Sequence, residues 1–144
     1  ETQEVLLSDT VGFIRKLPTH LIEAFKATLE ELQYADLLIH VIDASDPERE
    51  AHMQVVERLI GELAKPGVPV IDCYNKCDIA ENGAPRGENN VEISARTGEG
   101  IDALKALAER LLERLQEAGD RCFSPAGKPI LAEITLDELR AKLR

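Results

Sequence analysis

The sequence predicts an α/β fold, a parallel sheet with flanking helices that together form three layers, and three observations support it. Two apolar runs rich in branched side chains, 37–43 and 68–74, are typical of strands buried on both faces of a sheet. A stretch with apolar residues at helical spacing lies between them, and another follows later in the chain. Strands and helices that alternate in this way form parallel sheets joined by right-handed crossovers.

The first elements along the chain are a short strand and a helix. Residues 4–8 are the strand candidate, which begins almost at the first residue. From Pro18 to about Tyr34 the apolar spacing predicts a helix, with Pro18 just inside its start, where the missing N–H costs nothing. In the strand 37–43 that follows, we expect His40 to be a satisfied core or sheet-face residue rather than a ligand.

A second helix and a second buried strand come next. Asp46 is the predicted N-cap of this helix, Pro47 is its first helical residue, and Pro66–Gly67 ends it. Its apolar stripe is predicted to consist of Val55, Val56, Leu59, Ile60 and Leu63. The strand 68–74 follows, and after it a polar loop, 79–90, rich in Gly, Asn and Pro.

The last elements are a short strand, a third helix and a tail. Val91–Ile93 is the strand, and the helix begins at 101 or 102 and ends at about 118. Its buried face is predicted to consist of leucines spaced three and four apart, namely Leu104, Leu107, Leu111 and Leu115. The periodicity is lost afterwards, so we divide the chain into a folded unit, residues 1–118, and a tail, residues 119–144, with a short helix.

Composition and charge narrow the class of protein. A chain of 144 residues with 44% hydrophobic residues suits one globular domain with its own core. The net charge of -10 argues against generic binding to phosphate backbones, and direct DNA binding is not expected. No run approaches the ~20 apolar residues of a membrane span, and residues 1–20 show no signal-peptide pattern. Three cysteines without zinc-ligand spacing, Cys73, Cys77 and Cys122, indicate reduced thiols in a cytoplasmic protein.

The tetrapeptide Asn75-Lys76-Cys77-Asp78 directly follows the strand 68–74, at the sheet edge where open α/β folds bind ligands. The Asp78 carboxylate can accept parallel hydrogen bonds from the N1–H and N2–H₂ groups of guanine, which adenine does not supply. Asn75 can offer its amide, and the aliphatic stem of Lys76 can lie along the purine. Taken alone, the pattern is more simply a polar turn that closes a strand.

Two companion motifs also follow predicted strands. Asp9-Thr10-Val11-Gly12 has the form D-x-x-G, in which the Asp9 carboxylate suits Mg²⁺ held through water and Gly12 lets its backbone N–H approach a terminal phosphate. Ser94-Ala95-Arg96 places small residues where backbone N–H groups can reach the guanine O6 atom. Each motif alone is compatible with a plain turn. In the order D-x-x-G, N-K-x-D, S-A, with helices between, they predict a guanine-nucleotide site.

The same set resembles the second half of a translation-factor-related GTPase domain. The stretch from Asp9 to Pro18, followed by Ala24-Phe25 and Thr28-Leu29-Glu30-Glu31, closely resembles the HflX family of GTPases, and the resemblance covers residues 4 to about 115. It implies a P-loop GTPase-like fold truncated at the N-terminus, GTP and GDP as ligands with Mg²⁺, a bacterial cytoplasmic setting and association with the large ribosomal subunit.

By matching motif, the resemblance also implies which residues bind GTP. They are Asp9, Thr10, Val11, Gly12, Asn75, Lys76, Cys77, Asp78, Ser94, Ala95 and Arg96. Asp9 would lie near Mg²⁺ through water, and Gly12 would contact the γ-phosphate. Phe13 stands where many small GTPases have a water-orienting Gln, and since it cannot hydrogen-bond to water, slow intrinsic hydrolysis is expected. No catalytic residue is assigned.

The phosphate-binding loop of a GTPase is not found in this chain. No G-x-x-x-x-G-K-[ST] occurs, and the one Gly-Lys pair, Gly127-Lys128, is followed by Pro129. Residues 1–118 are therefore interpreted as a partial GTPase domain that binds GTP poorly and does not hydrolyse it alone. Two alternatives stay open, a non-catalytic protein-interaction module derived from a GTPase half domain and an unrelated flavodoxin-like domain.

Overall fold

The computed structural model describes Leu7 and residues 29–118, with side chains from residue 32 onward. Its elements, in order, are a 3-10 helix (Leu29–Tyr34), strand β1 (Leu38–Asp43), helix α1 (Arg49–Leu63), strand β2 (Val70–Asn75), strand β3 (Asn90–Glu92) and helix α2 (Ile101–Glu117). The three strands form one parallel sheet in the order β1–β2–β3. The predicted α/β class with parallel strands is therefore confirmed.

The strand register brings the ends of β1 and β2 side by side. Asp43, the last residue of β1, is paired with Asn75, the last residue of β2. On the other side of β2, Tyr74 is paired with Glu92, the last residue of β3. The segments that leave the three strands therefore start at the same edge of the sheet, which is where ligands bind in folds of this class.

Two apolar clusters lie on opposite faces of the sheet, because successive side chains of a strand point to opposite sides. One face packs against α2, in a cluster made of Ile71, Cys73, Val91, Ile93, Ile101, Leu104, Leu107, Ala108 and Leu111. The other is a smaller cluster of Ile42, Ala44 and Tyr74, against which Met53 of α1 packs. A helix on each face gives the three predicted layers.

His40 lies on the α1 face of the sheet, beside its register partner Asp72. The Nδ1 atom of the imidazole is 3.2 Å from Asp72 Oδ1, and the His40 side chain is 9% exposed. Burial lowers the pKa of His40, although the Asp72 carboxylate opposes this effect. His40 is therefore a hydrogen-bonded sheet-face residue, as the sequence predicts.

Helix α1 begins later than predicted. Its first residue is Arg49 rather than Pro47, and Glu48 occupies the N-cap position without a side-chain cap. Asp46 closes a turn ahead of the helix instead, because its Oδ1 atom accepts a hydrogen bond from Glu48 N (3.0 Å) and its carbonyl accepts one from Arg49 N (3.2 Å). Asp46 therefore makes the hydrogen bond expected of a cap, to the residue two positions on, but the regular α-helix begins one short turn later.

Several predicted buried positions are more exposed than expected. Val55 is 51% exposed, and α1 has no fully buried residue, so its stripe is half-buried at best. Leu115 is half-buried, whereas Leu112 and Ala108 are buried in α2. The third strand ends at Glu92 rather than Ile93.

Other predicted elements fall on residues that the structure does not describe. These are the strand 4–8 except Leu7, the helix from Pro18 as far as residue 28, and the tail 119–144. The described end of that helix, Leu29–Tyr34, is a 3-10 helix rather than an α-helix. Between residues 29 and 118, neither α-helix is apolar and long enough to cross a lipid bilayer.

Candidate functional site

The Asn75–Asp78 loop begins where β2 ends, at the predicted sheet edge. Lys76 adopts a φ of 66°, a left-handed conformation that is unfavourable for a residue with a side chain. Its carbonyl accepts hydrogen bonds from the N–H groups of Ile79 and Ala80, both at 3.1 Å, and Cys77 N donates to Ile93 O at 3.0 Å. These bonds close the turn that carries Asp78 and attach it to the segment after β3.

The side chain of Asn75 joins the two loops that the sequence assigns to the base. Its Oδ1 atom accepts hydrogen bonds from Lys76 N (2.8 Å) and from Ala95 N (3.0 Å), and the residue is 7% exposed. The N–H of Ala95 is therefore engaged within the protein. Among the described residues, the neighbouring Arg96 N–H donates no hydrogen bond.

Lys76 extends across the sheet edge to the end of β1. Its Nζ atom is 2.6 Å from Asp43 Oδ2, and the other carboxylate oxygen of Asp43 accepts hydrogen bonds from Ser45 N (3.0 Å) and Ser45 Oγ (2.6 Å). Desolvation would raise the pKa of Asp43, but the hydrogen bonds from Lys76 and Ser45 outweigh it and hold that pKa below its ordinary value. The ammonium of Lys76 is thus fixed, and its half-exposed stem borders the site.

The Asp78 carboxylate is partly shielded and directed toward the loop after β3. Its side chain is 16% exposed, although the residue as a whole lies at the surface. Asp78 Oδ2 is 3.9 Å from Arg96 Nε, whose side chain is 82% exposed. An exposed pair at this distance contributes about 0–1 kcal/mol. Within residues 32–118 no donor hydrogen-bonds to the carboxylate, so its acceptors are open to a ligand.

Ser94 supports its loop from inside the protein. It is fully buried, and its Oγ atom accepts a hydrogen bond from Thr97 N at 3.1 Å. Its own N–H donates to Glu99 O at 2.9 Å, and its carbonyl accepts from Gly98 N at 2.8 Å. Ser94 therefore shapes the turn, and within Ser94–Arg96 only Arg96 is exposed.

Gly100 allows the same loop to pass close to β3 before α2 begins. It has a φ of 74°, and a Cβ atom there would collide with the backbone carbonyl of Glu92. Only glycine accommodates both the left-handed backbone and this approach. The Ser94–Arg96 loop is consequently held between β3 and the first turn of α2.

Cys77 and Cys73 are free thiols, and neither has a lowered pKa that would make it a nucleophile. Burial raises the pKa of Cys77, and the carboxylates of Glu99, Glu92 and Asp78 raise it further. Burial alone raises the pKa of Cys73 to about 12. Both sulfurs therefore stay protonated near neutral pH, and nucleophilic chemistry at this edge is unsupported.

Arg49 is a residue of this edge that the sequence analysis did not single out. Its guanidinium donates to the carbonyls of Ala44 (3.1 Å), Asn82 (3.4 Å) and Gly83 (3.3 Å), and it lies 5.6 Å from the centre of the Tyr74 ring. It thereby ties the loop after Asp78 to the end of β1 and borders a cleft of about 330 Å³. No sequence signal marks it, because its acceptors are backbone carbonyls far along the chain.

The D-x-x-G motif cannot be compared with this geometry. Asp9, Thr10, Val11 and Gly12 lie outside the described residues, as does Phe13. In the part of the chain that is described, no three His, Cys, Asp or Glu side chains are grouped so as to hold a metal ion. The assignment of Mg²⁺ to Asp9 therefore stays a prediction.

The chain is similar to bacterial proteins named GTPase HflX. The one from Lacrimispora saccharolytica is 46% identical over 132 residues, which are 88% of this chain and 31% of that protein. Those from Caldanaerobacter subterraneus and Escherichia coli are 50% and 44% identical, over 76% and 75% of this chain and 26% and 27% of the relatives. This chain thus spans about a third or less of their length. No protein-family model matches it.

The fold is similar to that of solved structures as well. Crystal structures of two point variants of SsGBP match with a TM-score of 0.61 each, at 25% and 28% sequence identity. They cover 76% and 75% of this chain, which in turn covers 43% and 42% of theirs. The described sheet and helices therefore have counterparts in larger solved proteins.

Proposed function

This chain belongs to the HflX family of GTPases, and from that premise we propose that its Asn75–Asp78 and Ser94–Arg96 loops bind the base of a guanine nucleotide. In this proposal the Asp78 carboxylate accepts hydrogen bonds from the N1–H and N2–H₂ groups of guanine. The backbone N–H of Arg96, rather than that of Ala95, donates to the O6 atom. Asn75 holds the two loops at a fixed separation, while the stem of Lys76 lies against the purine.

The observation that supports the proposal best is the hydrogen bond from Ala95 N to Asn75 Oδ1. It ties the two loops together, while no donor within residues 32–118 hydrogen-bonds to the Asp78 carboxylate. A partly shielded carboxylate on a held loop discriminates strongly, because a base without matching donors leaves it desolvated and unpaired. The carboxylate and the Arg96 N–H together match the donor and acceptor pattern of guanine and mismatch that of adenine.

We further propose roles for the phosphate side of the nucleotide, which rest on family membership. Asp9 would hold Mg²⁺ through water, the motif Asp9–Gly12 would contact the γ-phosphate, and Mg²⁺ would neutralise phosphate charge. With Phe13 after Gly12, hydrolysis would be slow without outside help. Because residues 1–144 contain no G-x-x-x-x-G-K-[ST] loop, the chain alone is expected to bind weakly and not to turn GTP over.

The setting of the whole protein is also a proposal. As a member of this family, it is expected to be cytoplasmic and to associate with the large ribosomal subunit. Residues 1–118 would form a partial GTPase domain, and residues 119–144 a tail of separate role.

Amide chemical shifts measured during a GDP titration test the base-binding proposal on this chain. We expect GDP to shift the amide signals of residues 76–78 and 95–96 in a saturable manner, with a dissociation constant near the millimolar range or weaker because the phosphate loop is missing. ADP at equal concentrations is the matched control, and it should leave those signals unmoved. Equal responses to GDP and ADP would refute guanine recognition at these loops.

A further inference from the structure

Asp43 lies at the candidate site but belongs to none of its three motifs. It is the last residue of β1, directly beside Asn75 in the strand register. One carboxylate oxygen is 2.6 Å from Lys76 Nζ, and the other accepts hydrogen bonds from Ser45 N and Ser45 Oγ at 3.0 and 2.6 Å. With donors on both oxygens, the carboxylate has a fixed orientation and is not available as a ligand for a nucleotide.

Lys76 is the residue on which the turn carrying Asp78 depends. Its φ of 66° is strained for a residue with a side chain, so surrounding contacts must hold it. The backbone N–H of Lys76 donates a hydrogen bond to Asn75 Oδ1 at 2.8 Å, and its ammonium group donates one to Asp43 Oδ2 at 2.6 Å. The carbonyl of Lys76 accepts hydrogen bonds from the N–H groups of Ile79 and Ala80, and these two bonds close the turn that contains Asp78.

We propose that Asp43 is a positioning residue of the guanine site, which acts by anchoring Lys76. It keeps the left-handed turn in place and the lysine stem alongside the base, so that Asp78 meets guanine with its carboxylate already oriented. This inference rests on the proposed function. It adds Asp43 to the proposed guanine site as a residue that does not contact the nucleotide. Preorganisation of this kind increases affinity because less ordering remains to be done on binding.

Replacement of Asp43 by asparagine tests the proposal, with Asp36→Asn as the control. Asp36, just ahead of β1, forms an ion pair with Lys65 at the opposite end of the sheet, with a carboxylate that is more buried than that of Asp43 (9% against 38% exposed). We expect Asp43→Asn to weaken GDP binding roughly three- to tenfold, since a charge-assisted but half-exposed hydrogen bond is lost. Asp36→Asn should leave GDP binding unchanged. Both are measured by the initial slope of amide shift against GDP concentration in the 144-residue chain.

A double-mutant cycle distinguishes positioning through Lys76 from a general loss of structure. If Asp43 acts through Lys76, Asp43→Asn should weaken GDP binding no further in a Lys76→Met background. Additive losses would overturn the proposal, as would GDP binding by Asp43→Asn equal to that of the wild type. In ligand-free spectra, Asp43→Asn should shift the amides of residues 76–78 and Asp36→Asn should not.

The outcomes separate this inference from the function on which it rests. If wild-type chain shows no GDP response at residues 76–78 and 95–96, the proposed function fails and the role of Asp43 fails with it. If the wild type responds and Asp43→Asn responds equally, guanine binding stands and the positioning role alone is refuted.

Discussion

Replacing Asn75 with alanine removes the side chain that joins the two loops of the candidate site. Its Oδ1 atom accepts hydrogen bonds from Lys76 N at 2.8 Å and Ala95 N at 3.0 Å, and the residue is 7% exposed. Without this acceptor the Ala95 N–H, on a buried residue, is left unpaired at a cost of about 1–3 kcal/mol, and the bond to Lys76 contributes about 1 kcal/mol more. We expect Asn75→Ala to lower the free energy of unfolding by about 2–4 kcal/mol.

Urea unfolding followed by far-UV circular dichroism measures this loss, provided that the m value is unchanged. Asn82→Ala is the matched control, because Asn82 is exposed in the next loop and its side chain makes no hydrogen bond among the described residues. That change should stay within about 0.5 kcal/mol. Asn75→Asp keeps an acceptor in the same place and should cost less than Asn75→Ala. A loss for Asn75→Ala no larger than that of Asn82→Ala would show that the bridge does not hold the loops.

Three further predictions concern the base, a backbone approach and a buried histidine. Asp78→Asn should weaken GDP binding about tenfold or more and favour xanthine nucleotides, since the acceptor becomes part donor; an unchanged preference in paired nucleotide titrations would contradict the role of Asp78. Gly100→Ala should destabilise by about 3 kcal/mol or more in urea unfolding, because its Cβ meets the Glu92 carbonyl, whereas Gly67→Ala, with a φ of 78° and open space around it, should cost about 1 kcal/mol. Because the pKa of His40 is lowered on folding, the unfolded chain binds the proton more readily. The stability that neutral His40 contributes is therefore complete above about pH 6.5 and falls as pH drops below that value. Thermal unfolding at several pH values should show a smaller loss of stability with falling pH in His40→Gln than in the wild type.

The position of the candidate site could be predicted from local sequence because its signals are local. The apolar run before Asn75 indicates a buried strand, and a parallel strand delivers whatever follows it to the ligand-binding edge. The helix α2 could be predicted for the same reason, since its leucines repeat with the helical period and Gly100 precedes them. In both cases one short stretch determines the structure.

The contact between Asp43 and Lys76 could not be predicted, because it depends on strand register. The two residues are 33 apart in sequence and meet only because Asp43 pairs with Asn75. A shift of one residue would direct the side chains to the opposite face of the sheet. Nothing in either strand by itself distinguishes these registers, so the contact becomes visible only in the folded sheet.

Two local errors arose where one stretch supports competing patterns. Asp46 makes the cap-type bond to the Glu48 N–H that Asp46-Pro47 predicts, but the same bond also closes a short turn, and the regular helix begins only at Arg49. The apolar spacing predicts both Val55 and Val56 in the buried stripe, although adjacent residues of a helix point about 100° apart. Of the two, Val55 is 51% exposed and Val56 is half-buried.

The described contacts at the candidate site join three neighbouring strand ends. Asn75 Oδ1 accepts from Ala95 N, Cys77 N donates to Ile93 O, and Lys76 Nζ pairs with Asp43, so these contacts join the ends of β1, β2 and β3 to one another. On the proposed function, affinity and selectivity would then have separate origins in this chain. Phosphate contacts would set how tightly a nucleotide binds, whereas the Asp78 carboxylate and its loop would determine which base is accepted. The ratio of GDP affinity to ADP affinity should therefore stay the same even where binding is weak. A ratio that falls together with the affinity would mean that the phosphate side of the nucleotide organises the loops.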